Sequence, residues 1–162
     1  MKTWVANPLA SDPLEFHDKE KPVDLPLWKE VAFPVDWLGL RASPVYYGFG
    51  IPMGNGDGVV TVPGFMGHDA YLVELNLWLK RIGYRPYFSR IGLNSECPDL
   101  LVDRLLVTVR RAYNACGPVN LIGHSLGGIL ARAAAVSEPR FVNSVIVLGS
   151  PFRGIHCRPR VL

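Results

Sequence analysis

A single serine, Ser125, stands where an apolar run gives way to strong helix formers. Residues 118–136 read PVNLIGHSLGGILARAAAV, which predicts a strand, a tight turn and a helix in succession. In a G-x-S-x-G turn the serine hydroxyl stands clear of the backbone and can act as a nucleophile. Gly123 and Gly127 fit this turn because a residue without a side chain lets neighbouring backbone approach closely. The alternative for the five letters alone is an ordinary strand-to-helix turn with a capping serine.

A second set of residues, Pro63-Gly64-Phe65-Met66, follows the apolar run 59–62. Attack of a serine on an ester carbonyl creates an oxyanion, which needs two preorganised hydrogen-bond donors. We expect one donor to be the N–H of Leu126, the residue after the serine, and the other to be the N–H of Phe65. The positive end of the helix that follows Ser125 favours the same negative charge.

The general base that such a serine needs is not evident in the sequence. His124 adjoins Ser125, and we expect its side chain to point away from the hydroxyl and to lie beside the site. His68 lies three residues beyond Phe65, and His156 follows the last predicted strand. No acidic residue follows Glu138, so no catalytic acid is identified either.

The remaining sequence predicts an alternation of strands and helices. Before the first motif, the predictions are a poorly ordered arm over 1–26, a helix over 27–41 that Pro34 kinks or breaks, and one or two short strands within 43–58. From there on they are a strand over 59–62, a helix from Ala70 to about Ile82 capped by Asp69, a strand over 84–89, a helix from Pro98 to about Ala115, the strand and helix around Ser125 with the helix ending near Pro139, and a strand over 144–148. Strands that alternate with helices of this length predict an α/β domain over 27–162, with a parallel sheet covered by helices on both faces. Sites in such sheets form outside the carboxyl ends of the strands, where both motifs fall.

The composition of the chain argues against several classes of function. A net charge of +3 on 162 residues gives no argument for nucleic acid, and no apolar run is long enough to span a membrane. Three cysteines without a C-x-x-C spacing suggest neither a disulfide framework nor a zinc site, and we expect them to be buried or inert. The glycine-rich loop 54–58 precedes a strand instead of opening a helix, which disfavours phosphate or dinucleotide binding. We therefore expect a cytoplasmic protein without a metal or organic cofactor.

Three motifs within about residues 44–158 carry a resemblance to a known family: VVTVPGF, LIGHSLGG and LGSPFRG. The chain resembles the α/β-hydrolase superfamily, in its lipase- and esterase-like branch. The resemblance implies that Ser125 forms an acyl-enzyme with a small apolar ester and that no cofactor takes part. It also implies substrate contacts from Met66, His68, His124 and Phe152, and it leaves thioester hydrolysis and acyl transfer open.

One departure from the family pattern concerns the end of the chain. In this superfamily the acid and the histidine normally follow the nucleophile, whereas only 37 of the 162 residues follow Ser125. The expectation is a partial fold without the acid and histidine portion, and two hypotheses stay open: an ester hydrolase, and a truncated, inactive domain that acts in binding. The last strand, 144–148, would then be an exposed edge through which the chain could self-associate.

Overall fold

The computed structural model describes residues 33–151 of the 162-residue chain. The predictions for the arm 1–26, for Phe152 and for His156 lie outside the described residues. The chain divides into two compact units, Met1–Gly39 and Leu40–Leu162, and everything below concerns the second unit except the first residues of helix α1.

The second unit is built on a four-stranded parallel sheet. Its strands are β1 (Gly58–Val62), β2 (Arg85–Phe88), β3 (Val119–His124) and β4 (Val142–Leu148), in the spatial order β2-β1-β3-β4. Pro86 lies in β2, an edge strand of this sheet, where a residue that cannot donate a ladder hydrogen bond is tolerated. The predicted α/β fold with a parallel sheet is confirmed.

The described residues form four α-helices: α1 (Phe33–Ala42), α2 (Val73–Arg81), α3 (Pro98–Cys116) and α4 (Leu126–Ser137). Short 3-10 helices cover Pro44–Tyr47, Asp69–Leu72 and Pro139–Phe141. Helix α3 has the bounds that its sequence predicts, because Pro98 suits a first helical turn and Gly117, with a φ of +77°, ends the helix.

Alternation along the strands explains why both faces of the sheet are covered. Val60 and Val62 point to the face where α3 and α4 pack, and they join one core cluster with Leu105 of α3 and Leu130 of α4. Val59 points to the opposite face and packs with residues of α2 and its carboxyl end. A continuous apolar run in β1 is therefore required, because neither face of this strand meets water.

Strand β4 forms the other edge of the sheet among the described residues. Three of its last residues keep a large exposed fraction: 48% for Ile146, 39% for Val147 and 42% for Leu148. Self-association through this edge stays a prediction.

The predicted kinked or broken helix over 27–41 lies partly outside the described residues, so its interruption at Pro34 stays a prediction. In the described part, Pro34 is the second residue of helix α1.

The prediction of one or two short strands before β1 is wrong. No strand forms in 43–57. Instead Trp78 donates a hydrogen bond to the Val45 carbonyl (3.0 Å) and Arg81 donates one to the Tyr46 carbonyl (2.6 Å), so helix α2 holds this segment as a 3-10 turn.

Candidate active site

The topology brings the two sequence motifs together at the point where the strand order reverses. From β1 the chain crosses to β2 on one side, and it then returns to place β3 on the other side of β1. Val62 of β1 and Gly123 of β3 are register partners, so the loops that follow these strands leave the sheet next to each other. Ligand sites of open parallel sheets form at such reversal points.

Ser125 occupies the sharp turn between β3 and α4. Its φ of +51° and ψ of −122° lie in a region that residues with a side chain rarely adopt. The Ser125 N–H donates to the Leu148 carbonyl of β4 (2.8 Å), and its carbonyl accepts from the Gly128 N–H (3.1 Å). The predicted strand, turn and helix are therefore present, and hydrogen bonds on both sides hold the serine in its strained conformation.

The glycines of the turn allow α4 to begin directly against the sheet. A Cβ on Gly127 would collide with the carbonyl oxygens of Val62 and Pro63, which are fixed backbone atoms at the end of β1. A Cβ on Gly64, across the cavity, would lie 3.0 Å from the Ser125 Cβ. These close approaches set how near the loop after β1 comes to the serine.

A cavity of about 350 Å³ opens at this reversal point. The residues that line it are Gly64, Phe65, Met66, Gly67, Tyr71, His124 and Ser125. The structure thus brings Ser125 together with Phe65, Met66 and His124, whereas His68 and Leu126 are not among the lining residues.

Tyr71 is the lining residue that the sequence reasoning missed, because its spacing suggested the buried face of a helix. It lies in the 3-10 turn before α2, and 66% of it is exposed. Its ring centroid is 5.6 Å from that of His124. The signal that could have found Tyr71 is its place six residues after Phe65, in the same strand-end segment.

The two expected oxyanion donors are the N–H groups of Phe65 and Leu126, and a different observation bears on each. Among residues 33–151 the Phe65 N–H, on the cavity wall, has no hydrogen-bond acceptor. Leu126 is the first residue of α4, a position whose N–H lacks an acceptor within the helix. Within the described part of the chain, both amides are therefore open to an acceptor.

The two described histidines do not complete a catalytic group. The His124 Nδ1 is buried and has no hydrogen-bond partner among residues 33–151. The His68 Nδ1 accepts from the Ala70 N–H (3.2 Å) and so caps the 3-10 turn. Within residues 33–151 no hydrogen bond joins a histidine ring to the Ser125 hydroxyl or to a carboxylate. A base and an acid for Ser125 are not identified among these residues.

The prediction that Asp69 caps the helix at Ala70 is wrong. One carboxylate oxygen of Asp69 accepts from the Ser89 N–H (3.1 Å) and hydroxyl (2.6 Å), and the other accepts from the Arg90 N–H (2.8 Å). Asp69 therefore joins the segment after β1 to the loop after β2, and His68 takes the capping position.

Cys97 is exposed just before α3, so of the expectation that the cysteines are buried or inert only the second part applies to it, and this stays a prediction. Cys116 is partly buried, and its thiol donates to the Ala112 carbonyl (3.0 Å). Cys157 lies outside the described residues.

An ion pair at the base of the loop after β2 makes the stability pH-dependent. Arg104 donates to both carboxylate oxygens of Glu96 (2.7 and 2.8 Å), and this hydrogen bonding lowers the pKa of Glu96 below its usual range. Because the folded state holds the lower pKa, the stabilisation is present above the pKa of the unfolded chain and is lost as the pH falls through that of the folded protein.

We expect Glu96→Gln to lower the melting temperature slightly at pH 7, and we expect this difference to shrink as the pH falls and Glu96 of the parent chain becomes protonated. Thermal unfolding of both proteins, followed by circular dichroism from neutral to acidic pH, measures the difference. A difference that does not shrink as the pH falls would contradict the assignment.

Comparisons with known proteins agree with this architecture. A family model described as a PGAP1-like alpha/beta domain matches residues 99–158. A triacylglycerol lipase from Pseudarthrobacter phenanthrenivorans is 34% identical over 106 residues, which cover 59% of this chain and 33% of the lipase. A triacylglycerol lipase from Burkholderia plantarii is also 34% identical over 106 residues, covering 59% of this chain and 30% of the lipase. The chain spans about a third of the length of these relatives.

Among solved structures, an N-formylmaleamic acid deformylase from Pseudomonas putida superposes with a TM-score of 0.52 at 22% sequence identity. The match covers 67% of this chain and 44% of the deformylase. Together with the sheet order and the turn at Ser125, this likeness defines a partial α/β-hydrolase fold.

Within that fold class, lipase- and esterase-like α/β hydrolases are the proteins to which part of this chain is similar, as the matched domain family and the two lipases indicate. Among residues 33–151, no helix is both long and apolar enough to cross a lipid bilayer.

Proposed function

We propose that the chain supplies the nucleophile and the oxyanion site of a carboxylic ester hydrolase, with Ser125 forming an acyl-enzyme. The observation that carries this proposal is the position of Ser125. It lies in a strained strand-to-helix turn, on the wall of a cavity that also contains Phe65. A serine hydroxyl presented in this way is the arrangement that acyl transfer requires.

In the proposed reaction, the Ser125 Oγ attacks the ester carbonyl carbon while its proton passes to a general base. The negative charge on the carbonyl oxygen is stabilised by the N–H groups of Phe65 and Leu126, both of which are open to an acceptor. Collapse of this intermediate breaks the bond to the leaving oxygen, which takes up the proton and departs as an alcohol. Water then attacks the acyl-enzyme, releases the carboxylic acid and restores the serine.

The cavity walls support an apolar acyl group as the bound part of the substrate. Phe65 is 65% exposed and Met66 is 59% exposed, and both line the cavity with Tyr71. Large apolar side chains left in contact with water at a cavity mark a surface that a ligand covers. The names of the two relatives, triacylglycerol lipases, support the same substrate class, although thioesters would fit the same chemistry.

The test is labelling of the full chain by a fluorophosphonate, which reacts with an activated serine. We expect a single adduct, located by peptide mass spectrometry on Ser125 and absent from Ser125→Ala. Hydrolysis of p-nitrophenyl butyrate should fall at least about 100-fold in the same variant. The control is Ser144→Ala, which removes an exposed serine of β4 and should leave both signals unchanged.

A non-catalytic binding domain is the second candidate, and the unpartnered Nδ1 of His124 favours it, because no base is assembled in residues 33–151. The same experiment separates the two functions. A chain that is folded but neither labelled nor active on p-nitrophenyl butyrate would exclude the hydrolase proposal for this polypeptide and leave the binding domain.

A further inference from the structure

Asn94 is a buried side chain that reaches across from another loop to the segment after β1, residues 63–67, which we call the oxyanion loop. Its exposed fraction is 0%. The Asn94 Nδ2 donates to the Pro63 carbonyl (2.8 Å). Its main chain makes two further bonds, since the Asn94 carbonyl accepts from the Met66 N–H (2.9 Å) and its N–H donates to the Gly67 carbonyl (3.0 Å).

These three hydrogen bonds hold the oxyanion loop on both sides of Phe65. The loop needs such support because Met66 has a φ of +57°, a conformation that a side chain makes unfavourable. A fourth bond, from the Gly67 N–H to the Gly64 carbonyl (3.0 Å), closes the turn. With the amides of Met66 and Gly67 used in this way, the Phe65 N–H remains without an acceptor on the cavity wall.

The loop that carries Asn94 is itself fixed at its start. Besides its bonds to Asp69, Ser89 offers its carbonyl to the Thr108 hydroxyl of α3 (2.9 Å). Two residues later Arg104 donates to the carbonyl of the fully buried Ile91 (3.1 Å). Asn94 is thus held against α3, and its hydrogen bonds restrain the oxyanion loop from this fixed position.

We propose that Asn94 is a positioning residue whose side chain holds the oxyanion loop so that the Phe65 N–H faces the reacting carbonyl oxygen. This inference rests on the proposed hydrolase function. Its physical basis is that an oxyanion donor is effective only when its orientation is fixed before the charge develops. Loss of the Nδ2 donor would leave the Pro63 carbonyl buried without its partner, and the turn would gain freedom around Phe65.

The chain offers a matched control in Asn76. This second buried asparagine is 5% exposed, and its Nδ2 donates to the Thr61 hydroxyl (2.7 Å) and the Leu72 carbonyl (2.9 Å), with no bond to the oxyanion loop. Asn94→Ala and Asn76→Ala should both lower the melting temperature. Only Asn94→Ala should lower the rate constant of fluorophosphonate labelling at Ser125, by about tenfold, because only it loosens the donor loop.

Two further measurements separate the positioning role of Asn94 from a general loss of folding stability. Amide exchange within residues 64–67, measured by mass spectrometry, should accelerate in Asn94→Ala and stay at the parent rate in Asn76→Ala. Asn94→Asp keeps the shape but removes the donor once the carboxyl is ionised at alkaline pH, so exchange should be fast there. Burial raises the pKa of a carboxyl, and a protonated carboxyl can donate to the Pro63 carbonyl. Protection relative to the parent should therefore return as the pH is lowered.

The outcomes separate this inference from the function on which it rests. If the parent chain is not labelled at Ser125, the proposed function fails, and the exchange of residues 64–67 still decides whether Asn94 fixes the loop. If labelling slows equally in Asn94→Ala and Asn76→Ala, or if exchange in the oxyanion loop is unchanged in Asn94→Ala, the positioning role is overturned.

Discussion

Gly127→Ala is expected to destabilise the second unit by about 3 kcal/mol or more, a large share of the stability of a domain of this size. The reason is that the added methyl group would collide with the carbonyl oxygens of Val62 and Pro63. Both are backbone atoms at the end of β1, a strand whose five residues are all buried, so they have no room to retreat. Helix α4 would have to move away from the sheet, and contacts of its buried face would be lost.

Urea unfolding followed by circular dichroism measures this effect. A control outside the second unit is Gly39→Ala, because a Cβ on this exposed helical glycine of α1 would meet no atom of residues 33–151 within 4 Å. That change should be neutral or stabilising by up to about 1 kcal/mol. A loss of less than about 1 kcal/mol in Gly127→Ala would show that α4 can shift, and that the glycine is not required for packing.

The second large effect concerns the strain at Ser125 itself. Its φ of +51° with ψ of −122° is open to glycine and unfavourable for any residue with a Cβ. Ser125→Gly should therefore be more stable than Ser125→Ala by about 1–2 kcal/mol, although both variants lack the hydroxyl. The comparison isolates the backbone conformation, because the two proteins differ by a single methyl group at this turn.

Ser137, the exposed last residue of α4, provides the control pair. In a helix alanine is favoured over glycine, so Ser137→Gly should be the less stable of the two by up to about 1 kcal/mol. The expected order of stability thus reverses between the two positions. The same order at both would mean that the turn at Ser125 is not strained.

The elements with strong local patterns could be predicted from the sequence alone. The apolar run of β1, the one-sided apolar pattern of α3 and the strand, turn and helix around Ser125 all form where expected, because their patterns match a buried strand or an amphipathic helix. The same reasoning places Ser125 and Phe65 at neighbouring strand ends, and the structure brings both to one cavity.

What could not be predicted depends on contacts between residues far apart in the chain. Pro44–Tyr47 forms a 3-10 turn, and Trp78 and Arg81 of α2, more than 30 positions away, bind its carbonyls. The Asp69 carboxylate does not cap its local helix because Ser89 and Arg90 offer it donors 20 and 21 positions further on. These long-range partners cannot be inferred from the neighbouring sequence. For Asp69, the neighbouring residues indicate only the general preference of aspartate for the start of a helix.

The hydrogen bonds between the loop after β1 and the loop after β2 limit how the cavity could be altered. Six bonds join them, three to the Asp69 carboxylate and three to Asn94. Insertions or loop exchanges that change residues 63–69 alone would remove the partners of residues 89–94, and the reverse also holds. The two loops therefore depend on each other structurally. A loop exchange intended to alter substrate preference should replace both loops together.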